Sequence, residues 1–111
     1  MNNPPVIRYG IYWVSLDPTK GREIQKCRPC VVVSPDFMHQ TNMAVVCPCT
    51  TAIHARWAHR IQVNFNGRDN EVMPDQIRAV SLDRFDGYIG TLNPNAVTRL
   101  CDVIVKLYTL T

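Results

Sequence analysis

Short runs of β-branched and aromatic residues alternate with turn sequences from about residue 10 to residue 92. Runs of this length, bounded by Pro, Gly, Asn and Asp, are typical of β-strands in small sheets. They predict six or seven short strands, over residues 10–16, 28–34, 43–49, 61–65, 70–73, 77–80 and 88–92. Asn66-Gly67 favours a tight hairpin turn between two of these strands, and residues 82–85 fit a single helical turn.

The period of the apolar residues changes after residue 92. Asn93 is a good N-cap, and Pro94 suits the first helical position. Beyond them the apolar residues recur at intervals of three and four, namely Val97, Leu100, Cys101, Ile104, Leu107 and Tyr108. This spacing predicts an amphipathic helix over 94–110 whose apolar face packs on the sheet. The element order predicts a mainly β fold with a C-terminal helix, built on a small, strongly bent antiparallel sheet or barrel.

The bulk composition fits a globular protein. The chain has 111 residues, 46% hydrophobic and 19% charged, which suits one compact domain rather than a disordered chain. We place this domain at residues 10–111 and treat residues 1–9 as an N-terminal tail. No apolar run reaches the roughly 18 residues of a membrane span, and the start lacks the segments of a secretory signal, so we expect no membrane partner. The net charge of +3 permits an anionic partner without requiring one.

The five cysteines are an odd number in a chain without a recognisable signal, which favours reduced thiols in a cytoplasm. Cys27 and Cys30 are spaced as C-x-x-C, and Cys47 and Cys49 as C-x-C. One alternative is therefore a small zinc-containing nucleic-acid-binding module. The second pair is one residue too close, and Cys30 and Cys49 fall within predicted strands, which conflicts with the demanding geometry of zinc. We therefore predict no metal ion and no other cofactor.

An arginine lies shortly before the most strongly β-branched run of the chain, Val31 to Val33. Pro29 fixes one of its own backbone dihedrals and restricts the conformation of Arg28. A guanidinium held at the end of a rigid strand can bind a phosphate or a carboxylate in bidentate fashion. An exposed arginine that merely ends a strand explains the same pattern, and this stretch alone leaves the two interpretations open.

Four motifs in order resemble the MazF/PemK family of toxin endoribonucleases. They are the segments 11–21 (IYWVSLDPTKG), 28–35 (RPCVVVSP), 47–51 (CPCTT) and 73–78 (MPDQIR). Together with the predicted helix, they extend the resemblance from about residue 10 to residue 110. The resemblance implies the SH3-like small barrel that MazF shares with the CcdB toxins, assembled as a homodimer in the cytoplasm.

The resemblance also implies an activity, the sequence-specific, metal-independent cleavage of single-stranded RNA, with a cognate antitoxin as partner and growth arrest as the effect. The family's catalytic arginine corresponds to Arg28 and its catalytic threonine to Thr50. Attack by the 2′-hydroxyl would leave a 2′,3′-cyclic phosphate and a 5′-hydroxyl. CcdB-like toxins bind gyrase and cleave nothing, which is the alternative within the same fold. Arg28 together with Thr50 favours the nuclease.

Further positions of the motifs are candidates for catalysis or RNA binding. They are Lys20, Glu23, Thr51, Asp75 and Gln76. Glu23 corresponds to an acidic residue of the family's groove, and Asp75 to an aspartate assigned to acid–base chemistry in PemK-like members. Met73 stands where that subgroup has an arginine, so its mechanism does not transfer intact. The alternative for Asp75 and Gln76 is a structural role in their loop.

The polar segment between the third and fourth predicted strands carries His54, Arg56, Trp57 and His59. Imidazole is the usual acid–base group near neutral pH, and basic groups interleaved with an aromatic suit single-stranded nucleic acid. We interpret this loop as an RNA contact or a gate, with Trp57 able to stack on a base. For the two histidines we favour a solvated loop position without a catalytic role.

Overall fold

The computed structural model describes residues 5–16 and 27–110. This part of the chain holds seven strands and one α-helix: β1 (Gly10–Ser15), β2 (Cys27–Val32), β3 (Met43–Thr50), β4 (Ile61–Phe65), β5 (Arg68–Val72), β6 (Arg78–Ser81), β7 (Phe85–Thr91) and α1 (Pro94–Tyr108). Short 3-10 turns cover Asp36–Thr41, Pro74–Gln76 and Leu82–Arg84. The predicted mainly β fold with a C-terminal helix is confirmed.

β3 is the central strand of the sheet. Its first half pairs with β6, its middle with β2, and its last residues, Cys49 and Thr50, with β5. The strand order is β4-β5-β3-β2-β1-β7, with β6 joined to β3 beside this path, and all pairings within residues 5–16 and 27–110 are antiparallel. Because one strand serves three partners along its length, the sheet bends at β3.

The core consists of two apolar clusters. Successive side chains of a strand point to opposite faces. Ile11 and Val31 therefore enter one cluster, while Tyr12 and Val32 enter the other. Helix α1 covers the first cluster, with Leu100 among its fully buried residues. The β-branched run of β2 is thus buried on both faces, as the sequence predicts. No helix of the described residues is long and apolar enough to cross a membrane.

Most element boundaries differ from the predicted ones by one to three residues. β5 begins at Arg68 because a two-residue turn pairs it directly with Phe65. β7 begins at Phe85, before the predicted start at 88, because Phe85 pairs with Val14 across a bulge. Helix α1 ends at Tyr108, before the predicted end at 110, because the next residue takes an extended conformation. Pairing and turn contacts therefore moved the ends of elements without changing their type.

Residues 5–9 of the predicted tail contact the sheet. The Tyr9 backbone N–H donates to the Val32 carbonyl oxygen (2.6 Å), and the Arg8 guanidinium donates through Nε to the Val33 carbonyl oxygen (3.0 Å). The Leu92 N–H in turn donates to the Tyr9 carbonyl oxygen (2.9 Å). This segment therefore joins the end of β2 to the connection that precedes α1.

Candidate functional site

Arg28 and Thr50 lie at the same end of two paired strands. The antiparallel register that pairs Cys30 with Pro48 carries both residues past the end of the β2–β3 ladder on the same side. Both line two neighbouring clefts, one of about 200 Å³ and one of about 420 Å³. The structure thus brings together the two side chains that the sequence singled out, at the junction of two open grooves.

The two clefts differ in what surrounds the shared pair. We call the smaller one the aromatic cleft, because Trp13 and Phe65 line it, together with Arg68 and Thr51. We call the larger one the Gln76 cleft, since Gln76 lines it together with Arg78 and Met73. Trp13, Phe65, Arg68 and Arg78 were not among the candidates from sequence, because nothing local indicates which strand residues meet at this end of the sheet.

The clefts are electrostatically positive. Arg28 and Arg68 line the aromatic cleft, and Arg28 and Arg78 line the Gln76 cleft. No carboxylate of the described residues lines either one. Guanidinium groups offer planar pairs of N–H donors that match phosphate oxygens. The arrangement suits a polyanion whose phosphate lies over Arg28.

The Thr50 hydroxyl is oriented by the backbone. Its Oγ1 accepts a hydrogen bond from the Ala52 N–H (3.1 Å), which uses one lone pair and leaves the hydroxyl proton available as a donor. A threonine held in this way beside a guanidinium can donate to an oxygen of the same phosphate. Thr51, the next residue, lines the aromatic cleft.

Asp75 is engaged by an arginine rather than by the clefts. Arg60 donates to both its carboxylate oxygens, from Nε (2.8 Å) and from Nη2 (3.1 Å), and Asp75 lines neither cleft in the described part of the chain. Burial raises the pKa of Asp75, but the hydrogen bonds from Arg60 outweigh it and hold the pKa below its ordinary value. A carboxylate held ionised in this way is a poor proton acceptor, which favours the anchoring interpretation. Gln76, its neighbour, does line a cleft.

A buried glutamate that the sequence reasoning missed lies behind the site. Glu71 has no exposed surface and faces Thr50 across the β3–β5 pair. Its carboxylate accepts from the His54 N–H (2.7 Å), from His54 Nδ1 (3.1 Å) and from Arg60 Nη1 (2.8 Å). Burial raises the pKa of Glu71, but these hydrogen bonds, with one from Gln62, lower it to about 2. Arg60 therefore ties the strand beside Thr50 to the turn that carries Asp75.

The loop between β3 and β4 forms a stack that stands apart from the clefts. The His54 and Trp57 rings are parallel within 7° with centroids 3.8 Å apart, His59 lies 5.6 Å from Trp57, and the Arg60 guanidinium lies 4.7 Å from the Trp57 centroid. In the described residues, neither the stack nor Arg56 lines either cleft that Arg28 shares with Thr50. RNA contact by this loop thus stays a prediction, and His54 has a structural partner in Glu71.

Two candidates cannot be placed. Lys20 and Glu23 lie in the segment 17–26, outside the residues that the structure describes. Their predicted roles in the groove stay predictions.

Three of the four cysteines of the zinc alternative, Cys30, Cys47 and Cys49, are core residues. Among residues 5–16 and 27–110, no group of three or more His, Cys, Asp or Glu side chains could hold a metal ion. Burial raises the pKa of Cys30 and of Cys47 to about 12, and that of Cys49 well above its ordinary value. Cys47 and Cys49 lie in one core cluster and Cys30 in the other, so these thiols do not converge on a metal position. The structure therefore does not support the zinc module.

Acidification is expected to destabilise the protein through Glu71. The ordinary pKa of about 4.5 applies to the unfolded chain, whereas the folded-state pKa is about 2. Because the folded-state pKa is the lower one, ionised Glu71 contributes stability above about pH 4.5, and this contribution is lost as the pH falls towards 2. The expected loss is of the order of 2–3 kcal/mol. Urea unfolding of the wild type and of Glu71→Gln between pH 7 and pH 3 measures it. Parallel pH profiles for the two proteins would contradict it.

Comparison with known proteins agrees with the motifs. The family profile described as "PemK-like, MazF-like toxin of type II toxin-antitoxin system" matches residues 7–108. The endoribonuclease toxin MazF of Escherichia coli (strain K12) is 36% identical over 73 residues, which are 64% of this chain and 64% of that protein. The alignment thus spans just under two thirds of the relative's length.

Solved structures show the same fold. The MazE-MazF structure (Form-II) from Deinococcus radiodurans superposes with a TM-score of 0.83, at 17% identity, over 98% of this chain and 100% of that one. The Mycobacterium tuberculosis toxin MazF-mt6 gives a TM-score of 0.75, at 20% identity, over 92% of this chain and 98% of that one. The resemblance stated from the four motifs and the fold class that it implies are both confirmed.

Proposed function

Because the chain belongs to the PemK-like, MazF-like toxins of type II toxin–antitoxin systems, we propose that it is an endoribonuclease that cleaves single-stranded RNA at short sequences without a metal ion. The observation that carries this proposal is the shared position of Arg28 and Thr50 on the two clefts. A strand of RNA lying through both clefts would pass its phosphate over this pair.

In the proposed reaction the RNA supplies its own nucleophile. The 2′-hydroxyl loses its proton and attacks the adjacent phosphorus, and the bond to the 5′-oxygen breaks as that oxygen takes up a proton. The products are a 2′,3′-cyclic phosphate and a 5′-hydroxyl. Negative charge grows on the non-bridging oxygens during attack, so donors fixed at those oxygens lower the barrier most.

Arg28 and Thr50 take complementary roles in this reaction. The Arg28 guanidinium donates two N–H groups to the non-bridging oxygens and balances their charge. The Thr50 hydroxyl, whose oxygen already accepts from Ala52, donates to one of the same oxygens and fixes its position. Asp75 acts through structure instead, because its ion pair with Arg60 holds the turn that presents Gln76.

The proposed partners follow from the same surface. A Mycobacterial relative in fold is described as an endoribonuclease in complex with its cognate antitoxin. We propose a cognate antitoxin for this chain, with an acidic segment that competes with RNA for the arginine-lined clefts. A homodimer and a cytoplasmic location, as the family resemblance implies, complete the proposal.

Incubation of the purified protein with a long single-stranded RNA in excess EDTA tests the activity. We expect cleavage at a limited set of sites, with fragments that a 5′-kinase labels directly and with cyclic phosphate at the 3′ ends. Cleavage that disappears in EDTA would contradict the metal-independent mechanism. Intact RNA, combined with binding to gyrase, would favour the CcdB-like alternative.

A further inference from the structure

A third cleft opens on the β4–β5 hairpin, beside the aromatic cleft. Its volume is about 330 Å³, within the usual range of small-molecule sites. We call it the amide cleft, because Gln62, Asn64 and Asn70 line it, together with Asp69 and Ile53. Asn70 also lines the aromatic cleft, so the two clefts meet at this residue.

The side chains of the amide cleft are fixed through their donor groups. Asn64 donates through Nδ2 to Asp69 Oδ1 (2.9 Å), and Asn70 donates through Nδ2 to a backbone carbonyl oxygen (3.3 Å). Gln62 donates through Nε2 to a buried carboxylate (3.4 Å). Each amide thus spends one of its two N–H groups on the protein.

The amide oxygens of the same residues stay available as acceptors. Within residues 5–16 and 27–110, the amide oxygens of Gln62, Asn64 and Asn70 accept no hydrogen bond from a protein donor. No buried polar side-chain atom in these residues lacks a partner, so the oxygen of Asn70, a residue only 4% exposed, reaches the surface at one of the two clefts that Asn70 lines. With the second oxygen of Asp69, the cleft presents a cluster of acceptors.

A cluster of acceptors selects its ligand by charge and by hydrogen bonding. It repels a phosphate, which instead suits the arginines of the two neighbouring clefts. The amide cleft instead favours a group that presents N–H donors, because acceptors left without a donor in the complex weaken binding. Ile53, 42% exposed, adds an apolar surface for a flat ring. Adenine, cytosine and guanine each carry an exocyclic amino group with two N–H donors. Uracil has a single ring N–H between two carbonyl oxygens, and the Asp69 carboxylate repels those oxygens.

We propose that the amide cleft is a nucleobase subsite that selects a base with an exocyclic amino group near the scissile phosphate. This inference rests on the proposed RNA cleavage and adds to it the residues that read the sequence. The backbone would follow the arginines, while one base turns out of the strand onto Gln62, Asn64, Asp69 and Asn70.

Mapping of cut sites on a long RNA of mixed sequence tests the subsite. For the wild type we expect uracil to be depleted at one fixed distance from the cut. At that position, replacing the preferred base by its analogue without the amino group should lower kcat/KM about 10-fold. In Asn64→Val and in Asp69→Asn we expect uracil to be accepted there and the two substrates to be cleaved at similar rates.

A control variant and the activity of the wild type distinguish an error in the subsite proposal from an error in the proposed function. Asn95→Ala removes an exposed amide on α1 that lines none of the three clefts, and should keep the wild-type preference. If the wild type cleaves RNA but shows no such depletion, or if both cleft variants keep it, the subsite is wrong while the nuclease stands. If folded wild type leaves RNA intact, the proposed function fails first. Thermal melting confirms that each variant is folded.

Discussion

Arg28→Ala is expected to remove RNA cleavage while leaving the protein folded. The substitution deletes the guanidinium shared by both clefts, and loss of one fixed charge donor at a developing oxyanion costs about 10²–10³ in rate. Arg28 is exposed and lies at the end of β2, so its truncation leaves the buried valines of that strand untouched. Single-turnover cleavage of RNA, with melting temperature as a fold check, measures the effect.

Two control variants sharpen this test. Lys106→Ala removes an exposed cation on α1, whose ammonium lies 3.0 Å from Asp102, and should leave cleavage unchanged. Arg28→Lys keeps the charge but loses the planar pair of donors, so we expect only partial activity. A folded Arg28→Ala protein that still cleaves at the wild-type rate would refute the proposed role of Arg28.

Glu71→Ala is expected to lower the free energy of unfolding by about 3–5 kcal/mol. The substitution leaves the Arg60 guanidinium, 8% exposed, without the more deeply buried of its two carboxylate partners. It also removes the acceptor of the His54 N–H, so the loop that follows Thr50 loses its tether. Urea denaturation at pH 7 measures the change, and we expect RNA cleavage by the folded fraction to fall as well.

An exposed ion pair provides the matched control. Asp102→Ala breaks the pair with Lys106 on the surface of α1, where solvent screening limits the effect to about 0–1 kcal/mol. If Glu71→Ala lowers the free energy of unfolding no more than Asp102→Ala does, the buried Glu71–Arg60 ion pair does not stabilise the fold as predicted.

The elements that the sequence predicted correctly depend on local chemistry. The Asn93 side chain accepts from the Ala96 N–H (2.8 Å), as its N-cap position predicts, and α1 starts at Pro94. Asn66 and Gly67 both have positive φ, at 54° and 74°, which is the conformation that their hairpin turn requires. Such signals lie within a few residues of each other, so a linear pattern contains them.

The motifs singled out Arg28 and Thr50, which line the same two clefts, but did not indicate which residues surround them. Both stand at strand ends, where the order of strands already suggests a shared edge. Trp13, Arg68 and Arg78 reach the same clefts only through the pairing of distant strands. Their own neighbours in the chain do not distinguish them from other residues of a half-exposed strand.

The amino-acid order alone therefore specified which segments become strands and where the helix begins, because short-range backbone preferences and apolar periods govern these features. The pairing of Arg28 with Thr50 came from the resemblance to the family motifs. Only the tertiary structure determined that Glu71 is buried and that Arg60 pairs with both Glu71 and Asp75. It also determined that Gln62, Asn64 and Asn70 line one cleft. A polar side chain can be buried only where folding supplies its hydrogen-bond partners. Here β3 pairs with β2, β5 and β6, which brings together segments that lie far apart in the chain.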